Sequence, residues 1–245
     1  MRTPFVNLGR YVFGVAALAS GLVMVVWPDY RDNGLQDILN ASSGPVFVYG
    51  TAAAQIFGGA AMLFRHTARA GAVALGVVYL AFALLCLPQV VSAPLKYGGY
   101  GNFFLEFSLV VGALLVYEPS RADLGRILWG VCATSFALYQ AFYLDYTATL
   151  VPKWFPPSQM FWTIATTVAF ALAAVALLIN RQALLATRLL TLMLVLLGLF
   201  VWVPALLADP HSHSNWNEFT ENFAIAGAAW ILADLLAAHR RPLGE

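Results

Sequence analysis

LGRYVFGV, at residues 8–15, decides the fold, because it recurs as LGRILWGV at residues 124–131, an offset of 116 residues. The same offset carries Asp29 onto Asp145 and Pro88 onto Pro204. Self-similarity at a fixed distance is the signature of a repeated structural unit. The sequence therefore predicts a tandem duplication, with a first repeat at residues 1–118 and a second at residues 119–245.

The composition indicates a chain that lies in a lipid bilayer. Hydrophobic residues make up 61% and charged residues 10%, and the mean hydropathy is +0.76, whereas soluble domains are about 45–50% apolar and about 25% charged. Apolar runs long enough to cross the hydrocarbon core lie at 8–27, 44–64, 70–91, 101–117, 124–143, 158–179, 184–207 and 217–237. These runs predict an all-α polytopic membrane protein with eight transmembrane helices, four in each repeat.

The remaining composition argues against several classes of function. A net charge of +1 leaves no basic surface for nucleic acid, whose phosphates require clustered Lys and Arg. The two cysteines, Cys86 and Cys132, form no CxxC pair, and no GxSxG, HExxH, phosphate-loop or dinucleotide signature occurs. We therefore expect no catalytic activity from this chain on its own.

The distribution of Lys and Arg predicts the orientation, since short cytoplasmic loops retain these residues. With the N-terminus inside, only Arg31, Lys96 and Lys153 lie outside, and ten arginines lie on the cytoplasmic side: Arg2, Arg10, Arg65, Arg69, Arg121, Arg126, Arg181, Arg188, Arg240 and Arg241. Both termini are thus predicted to be cytoplasmic, in a bacterial inner membrane. Because four spans is an even number, the two repeats should be related by a parallel pseudo-twofold axis along the membrane normal.

Two glutamates stand at the same spacing in the last span of each repeat. NFFLEFSLVVGA at 102–113 contains Glu106, and NWNEFTENFAIAGAAW at 215–230 contains Glu221, each four residues after an asparagine, Asn102 or Asn217. One interpretation is structural: the asparagines cap the helices, and each glutamate meets the positive end of a helix dipole. The other is functional, since acids within membrane spans often mark ion or proton sites.

In the functional interpretation each glutamate has an aspartate partner at the outer end of the first helix of its own repeat. The predicted pairs are Asp29 with Glu106, and Asp145 with Glu221. Two neighbouring carboxyls would share a proton, a water or a cation. The sequence alone leaves both interpretations open.

Other residues are weaker candidates. Pro88 and Pro204 interrupt corresponding helices, as a structural kink or as the broken helices of a transporter site. Gln55 and Gln140 lie within spans, where an amide either bonds a neighbouring helix or meets a quinone carbonyl. Gly50, Ala54 and Gly58 predict a tightly packed face on the second helix.

The outer segment DPHSHSNWNE at 209–218 offers a possible metal site. Asp209, His211 and His213 carry ligand types that zinc or copper accept. A solvated, pH-sensitive loop is the alternative.

Each predicted unit, which opens with LGRxxxGV and closes with an apolar helix, resembles the DoxX/DoxD-like family of small bacterial membrane proteins. This resemblance implies an accessory or anchor role in a quinone-linked membrane redox system, with redox subunits as partners and quinone as the cofactor. The main alternative is a small-solute, proton or cation transporter that uses the outer acids. An assembly factor that binds partner proteins is a third. This chain differs from the single-unit members of that family because it carries two units in tandem.

Overall fold

The computed structural model describes residues 8–28 and 44–239. The described residues form helices and no strand. We number the α-helices in chain order: α1 Leu8–Val26, α2 Gly44–Leu63, α3 Ala68–Leu85, α4 Leu87–Ser92, α5 Gly98–Tyr117, α6 Ala122–Phe142, α7 Leu144–Leu150, α8 Gln159–Leu178, α9 Ala183–Leu197, α10 Val203–Ala208 and α11 His213–His239. A short 3₁₀ turn at Pro119–Arg121 precedes α6, and a π-turn at Gly198–Trp202 joins α9 to α10.

Seven helical segments are long and apolar enough to cross a membrane. They include two composite segments, Ala68–Ser92 from α3 and α4, and Ala183–Ala208 from α9, the π-turn and α10. The remaining predicted span, at 124–143, corresponds to two helical segments, Pro119–Phe142 and Leu144–Leu150, with a bend of 96° between them. It counts as a span only if the two segments are taken together. The chain is therefore a multi-pass, all-helical membrane protein, as the hydropathy predicts.

The last helix of each half lies at the centre of the molecule. Consecutive spans pack against each other along the chain, and α1 also packs against α11. Helices α5 and α11 contact each other across the middle. About half of α5 (50%) and of α11 (56%) is buried, a larger share than in the other five spans. A polar group on the facing sides of these two helices is therefore remote from lipid.

Close helix contacts in the first half depend on glycine, although on different glycines from those expected. A Cβ on Gly59 would lie 2.5 Å from the carbonyl oxygen of Gly14, and one on Gly71 would lie 2.5 Å from that of Gly58. A Cβ on Gly50, in contrast, would have no heavy atom of the described residues within 4 Å, apart from its chain neighbours and the adjacent backbone of its own helix. The tight face of α2 therefore includes Gly58 and Gly59, and the expectation for Gly50 was wrong.

The two LGRxxxGV stretches have packing roles. A Cβ on Gly9 would collide with the backbone of α11 at Trp230 and Ile231. A Cβ on Gly125 would collide with the side chain of Leu115. The guanidinium of Arg126 is buried and donates to the carbonyl oxygens of Leu177 and Leu178, at the C-terminal end of α8. A cation there satisfies carbonyls that the helix leaves unpaired.

Candidate functional site

A cavity of about 380 Å³ lies where α5 and α11 meet α6, α8 and α9. Its lining contains eight polar side chains, three of them carboxyls: Asn102, Glu106, Tyr139, Gln140, Tyr146, Glu218, Glu221 and Asn222. Among residues 8–28 and 44–239, no Lys, Arg or His lines it. The cavity also reaches the surface beside α7, because two of its lining residues, Tyr146 and Leu150, are exposed. It is thus an acidic chamber inside a membrane protein.

Glu106 lies deep within α5. It is the ninth residue from Gly98, which places it about 12 Å along the helix at about 1.5 Å per residue. The side chain is 8% exposed, and its Oε2 atom has no hydrogen-bond partner. A buried carboxylate oxygen without a partner is costly. The geometry therefore leaves one oxygen of Glu106 available to a proton or to a ligand in the cavity.

Glu221 occupies the corresponding place in α11, as the ninth residue from His213. It lines the same cavity as Glu106, and the two carboxyls interact electrostatically. Glu218, one turn earlier on α11, lines the cavity too and also interacts with Glu221. Two carboxylates in a dry site repel each other unless a proton or a cation compensates their charge.

These positions contradict the capping interpretation. Helix α5 begins at Gly98 and α11 at His213, so Asn102 and Asn217 are interior helical residues and the glutamates lie beyond the first turn. The glycines at 98–101 are within the helix: Gly99 lies against the backbone of Val90, and Gly101 against the ring of Tyr139. Glycine is required at these two positions because neighbouring elements approach closely. The sequence alone does not distinguish such a close contact from a helix break.

The asparagines of the cavity have their amide groups directed to other side chains or to the backbone. The Nδ2 atom of Asn222 donates to the carbonyl oxygen of Leu194 at 2.9 Å, beside the π-turn. The Nδ2 atom of Asn102 is 3.4 Å from the Oε1 atom of Gln89. These contacts use the NH₂ groups and leave the amide oxygens of both residues out of them. Carbonyl and carboxylate oxygens are ligands for cations.

Both predicted helix breaks lie next to the cavity. Helix α3 ends at Leu85 and α4 begins at Leu87, so the break before Pro88 falls at Cys86. The break before Pro204 is the π-turn that ends at Trp202. Cys86 and Trp202 both line the cavity, and they correspond at the offset of 116 residues. Irregular helix geometry in a membrane protein is found where it lines a cavity.

The two glutamines have different surroundings. Gln140 lines the cavity, and its Oε1 atom accepts hydrogen bonds from Thr166 at 3.1 Å and Thr167 at 2.9 Å. It therefore bridges two helices, α6 and α8. Gln55 is 2% exposed, and its Oε1 atom has no partner. Gln55 lies in α2, and α2 contributes no residue to the cavity.

The predicted pair of Asp145 with Glu221 is not what the cavity brings together. Asp145 is exposed on α7 and does not line the cavity that contains Glu221. The acids that share the cavity with Glu221 are Glu218, on the same helix, and Glu106, on α5. The other predicted pair includes Asp29, which lies outside the described residues. Tyr79 was not predicted as part of the site: it is a buried phenol that interacts electrostatically with both glutamates and whose oxygen has no partner.

The histidine segment forms no grouped set of ligands. The backbone N–H of His211 donates to Asp209 Oδ1 at 3.2 Å, which is a local turn. The ring of His213 stacks on Trp27, with centroids 5.6 Å apart. Within 8–28 and 44–239, no three His, Cys, Asp or Glu side chains are grouped so as to hold a metal ion. The structure therefore gives no support to the metal site predicted from Asp209, His211 and His213.

Comparisons with protein families, with curated proteins and with solved structures found no match to this chain. The chemistry of the cavity must therefore be argued from its own residues. Three carboxyls line the cavity, and its lining within the described part of the chain includes no basic residue, so the site attracts positive charge. The class of protein that the fold and this cavity define is a multi-pass membrane protein with an acidic internal chamber.

Proposed function

We propose that this protein is a membrane transporter that binds protons and cations at Glu106 and Glu221. One observation carries the proposal: two carboxyls from the two central helices line one cavity, and none of the lining side chains that the structure describes is basic. In a site of low dielectric, binding a cation and binding a proton compete, because each relieves the repulsion between the same two groups. Such competition is the physical basis of exchange between protons and cations.

The helix breaks support transport over a purely structural role. Cys86 and Trp202 place the interrupted helices α3–α4 and α9–α10 at the wall of the cavity. An interrupted helix can change its angle there at lower cost than a continuous one, because its regular α-helical hydrogen-bond pattern is already interrupted. We propose that these two breaks allow the wall of the cavity to move.

We further propose that the chain consists of two tandem four-helix units, 1–118 and 119–245, related by a parallel pseudo-twofold axis. Packing supports this arrangement, since the helix pairs of one half have counterparts in the other: α1 with α2 and α6 with α8, α3 with α5 and α9 with α11, and α1 with α11 and α6 with α5. The charge distribution supports cytoplasmic termini in a bacterial inner membrane.

Accessibility of introduced cysteines tests this orientation. His66 and Lys153 are exposed in two loops that the charge distribution assigns to opposite sides of the membrane. In a Cys86→Ser, Cys132→Ser background, a membrane-impermeant maleimide added to intact spheroplasts should label Lys153→Cys and leave His66→Cys unlabelled until the membrane is opened. The reverse pattern would overturn the proposed orientation.

A role as an accessory subunit of a quinone-linked, DoxX-like redox system is the second proposal. The aromatic side chains of the cavity wall favour it, since Phe136, Phe170 and Trp202 would pack against a quinone ring. Mass spectrometry of the protein purified in mild detergent tests this role: a bound quinone or co-purifying oxidoreductase subunits would support it. An assembly factor would instead co-purify with partner proteins and contain no bound quinone.

Proton movement in liposomes tests the transport proposal. The purified protein is reconstituted with a pH-sensitive dye inside the vesicles, and gradients of Na⁺, K⁺ and small ammonium ions are imposed in turn. We expect at least one gradient to drive proton movement, and the double variant Glu106→Gln, Glu221→Gln to abolish it. Glu118→Gln, at an exposed acid outside the spans, is the matched control and should retain the wild-type rate. Equal proton movement in the wild type and the double variant would overturn the proposal.

A further inference from the structure

We propose that the substrate class of this cavity is small organic ammonium ions that carry or fit against an aromatic ring, in preference to a bare metal ion. This inference rests on the proposed function and adds to it the chemistry of the ligand. Three independent features of the cavity, its size, its charge and its aromatic wall, lead to this class.

The size of the cavity excludes a site shaped for one ion. A volume of about 380 Å³ falls in the range of about 300–1,000 Å³ that is typical of small-molecule pockets, whereas one water occupies about 30 Å³. A metal ion needs several ligand atoms within about 2.6 Å. No three His, Cys, Asp or Glu side chains within 8–28 and 44–239 are grouped in that way. The space therefore fits a molecule with a carbon skeleton.

The charge of the cavity selects for a cation. Glu106 and Glu221 both line it, and the lining residues within 8–28 and 44–239 include no Lys, Arg or His. The Oε2 atom of Glu106 is buried and without a hydrogen-bond partner. An ionised carboxyl here would repel an anion and gain nothing from a neutral molecule, whereas the positive charge of an ammonium group compensates it directly.

The wall of the cavity adds a third feature. Five aromatic side chains line it: Phe136, Tyr139, Tyr146, Phe170 and Trp202. The rings of Phe136 and Phe170 have centroids 5.5 Å apart and planes at 71°, so they pack against each other edge to face. Alkylated ammonium ions bind to aromatic faces through cation–π attraction, and their poorly hydrated methyl groups lose little on leaving water.

The charge of the bound ammonium ion determines how many protons Glu106 and Glu221 release when it binds. When the cavity is empty and both facing glutamates carry a proton, a monovalent ammonium ion is compensated by the loss of one proton from the pair. A divalent one requires the loss of two. The proton passes to the solvent or buffer, and no covalent bond other than O–H changes.

Calorimetry with benzyltrimethylammonium tests this inference, with benzyl alcohol as a smaller, neutral probe that keeps the benzyl group. The full-length protein in detergent is titrated in two buffers of different ionisation enthalpy, which gives the number of protons released. We expect the ammonium ion to bind with release of about one proton, and benzyl alcohol to bind at least about tenfold more weakly, a difference of about 1.4 kcal/mol. Equal affinity for the two probes would overturn the inference.

Variants assign the binding to this cavity. Glu106→Gln and Glu221→Gln should each weaken benzyltrimethylammonium binding at least tenfold, and Glu118→Gln should not. Tyr146→Leu, on the exposed side of the cavity, should weaken it about twofold to fivefold, while Tyr117→Leu, which is exposed and does not line the cavity, should leave it unchanged. If the glutamate variants do not fold, the two tyrosine variants decide: equal affinity in both would overturn the inference.

The failure of this inference is distinguishable from the failure of the proposed function. Proton release driven by Na⁺ or K⁺, with no binding of benzyltrimethylammonium, would overturn the substrate class and leave the cation transporter in place. If the folded protein showed neither proton release nor binding of benzyltrimethylammonium, the substrate class and the transport function would both be overturned.

Discussion

Glu106 and Glu221 line one cavity although they are 115 positions apart in the chain, because α5 and α11 contact each other at the centre of the molecule. Each glutamate is the ninth residue of its helix, so both lie at the same distance from their helix starts. The two carboxyls therefore share one largely enclosed environment. Their chemical reactivity should therefore differ from that of an exposed acid.

Labelling with dicyclohexylcarbodiimide should reveal that difference. This reagent modifies protonated carboxyls in apolar surroundings, and repulsion between two facing glutamates favours retention of a proton in the pair. We expect adducts at Glu106 or Glu221 in peptide mapping by mass spectrometry. A Glu106→Gln variant should lose the adduct at that position, and a cation that fills the cavity should slow the labelling.

Glu118 is the matched acid for that experiment. The hydroxyl of Ser120 donates to Glu118 at 2.6 Å and lowers the pKa of this exposed carboxyl, so it is ionised at neutral pH and should stay unlabelled. Labelling of Glu118 to the same extent as Glu106 would show that the reagent does not report on the cavity.

Substitution of Gly59 should destabilise the protein, because a Cβ there would lie 2.5 Å from the carbonyl oxygen of Gly14. We expect Gly59→Val to lower the free energy of unfolding by about 1–3 kcal/mol, as overpacking does. Gly50→Val, on the same helix and with open space around it, is the control and should change stability little. Thermal unfolding in detergent measures both, and equal losses would contradict the packing of α1 on α2.

Loss of the Arg126 guanidinium should destabilise the second half. Arg126 is buried and donates to the carbonyl oxygens of Leu177 and Leu178 at the end of α8. Because hydrogen bonds from charged groups contribute about 1.5–3 kcal/mol, we expect Arg126→Met to lower the free energy of unfolding by about that amount. Arg121→Met, at an exposed arginine in the preceding turn, should have a much smaller effect. Similar stability of the two variants would mean that Arg126 does not cap α8.

The spans could be predicted from the sequence because each depends on local properties, chiefly the length of an apolar run. The predicted run at 184–207 lies within the segment Ala183–Ala208, and the run at 44–64 agrees with Gly44–Leu63 to one residue. The bend of 96° after α6 was not predicted, since the apolar run continues through Phe142 and Tyr143 without a proline or glycine.

The pairing of the acids could not be read from the chain, because it depends on which helices meet. Each glutamate was expected to pair with the aspartate of its own unit, on the assumption that the ends of one four-helix unit converge. For Glu221 the structure leaves Asp145 outside the cavity and brings Glu106 to it, through the contact of α5 with α11. The sequence did contain one indication that the two glutamates are related: the spacing from Asn102 to Glu106 is identical to that from Asn217 to Glu221.

The two native cysteines provide a test of the cavity that needs no introduced probe. Cys86 lines the cavity at the break between α3 and α4, whereas Cys132 is fully buried within α6 and does not line it. Both thiols are free. A small positively charged methanethiosulfonate reagent should therefore modify Cys86 severalfold faster than Cys132, because the acidic lining attracts the reagent and the cavity gives it a route to the thiol.

Variants separate this effect from general breathing of the helices. Cys132→Ser should keep the fast reaction, and Cys86→Ser should lose it. In the double variant Glu106→Gln, Glu221→Gln the positively charged reagent should react more slowly with Cys86, while a neutral methanethiosulfonate of similar size should not. Benzyltrimethylammonium should protect Cys86 from both reagents, because it would fill the space through which they reach the sulfur. Equal rates at the two cysteines, with no effect of charge or of the ammonium ion, would contradict a cavity that admits cations from solution.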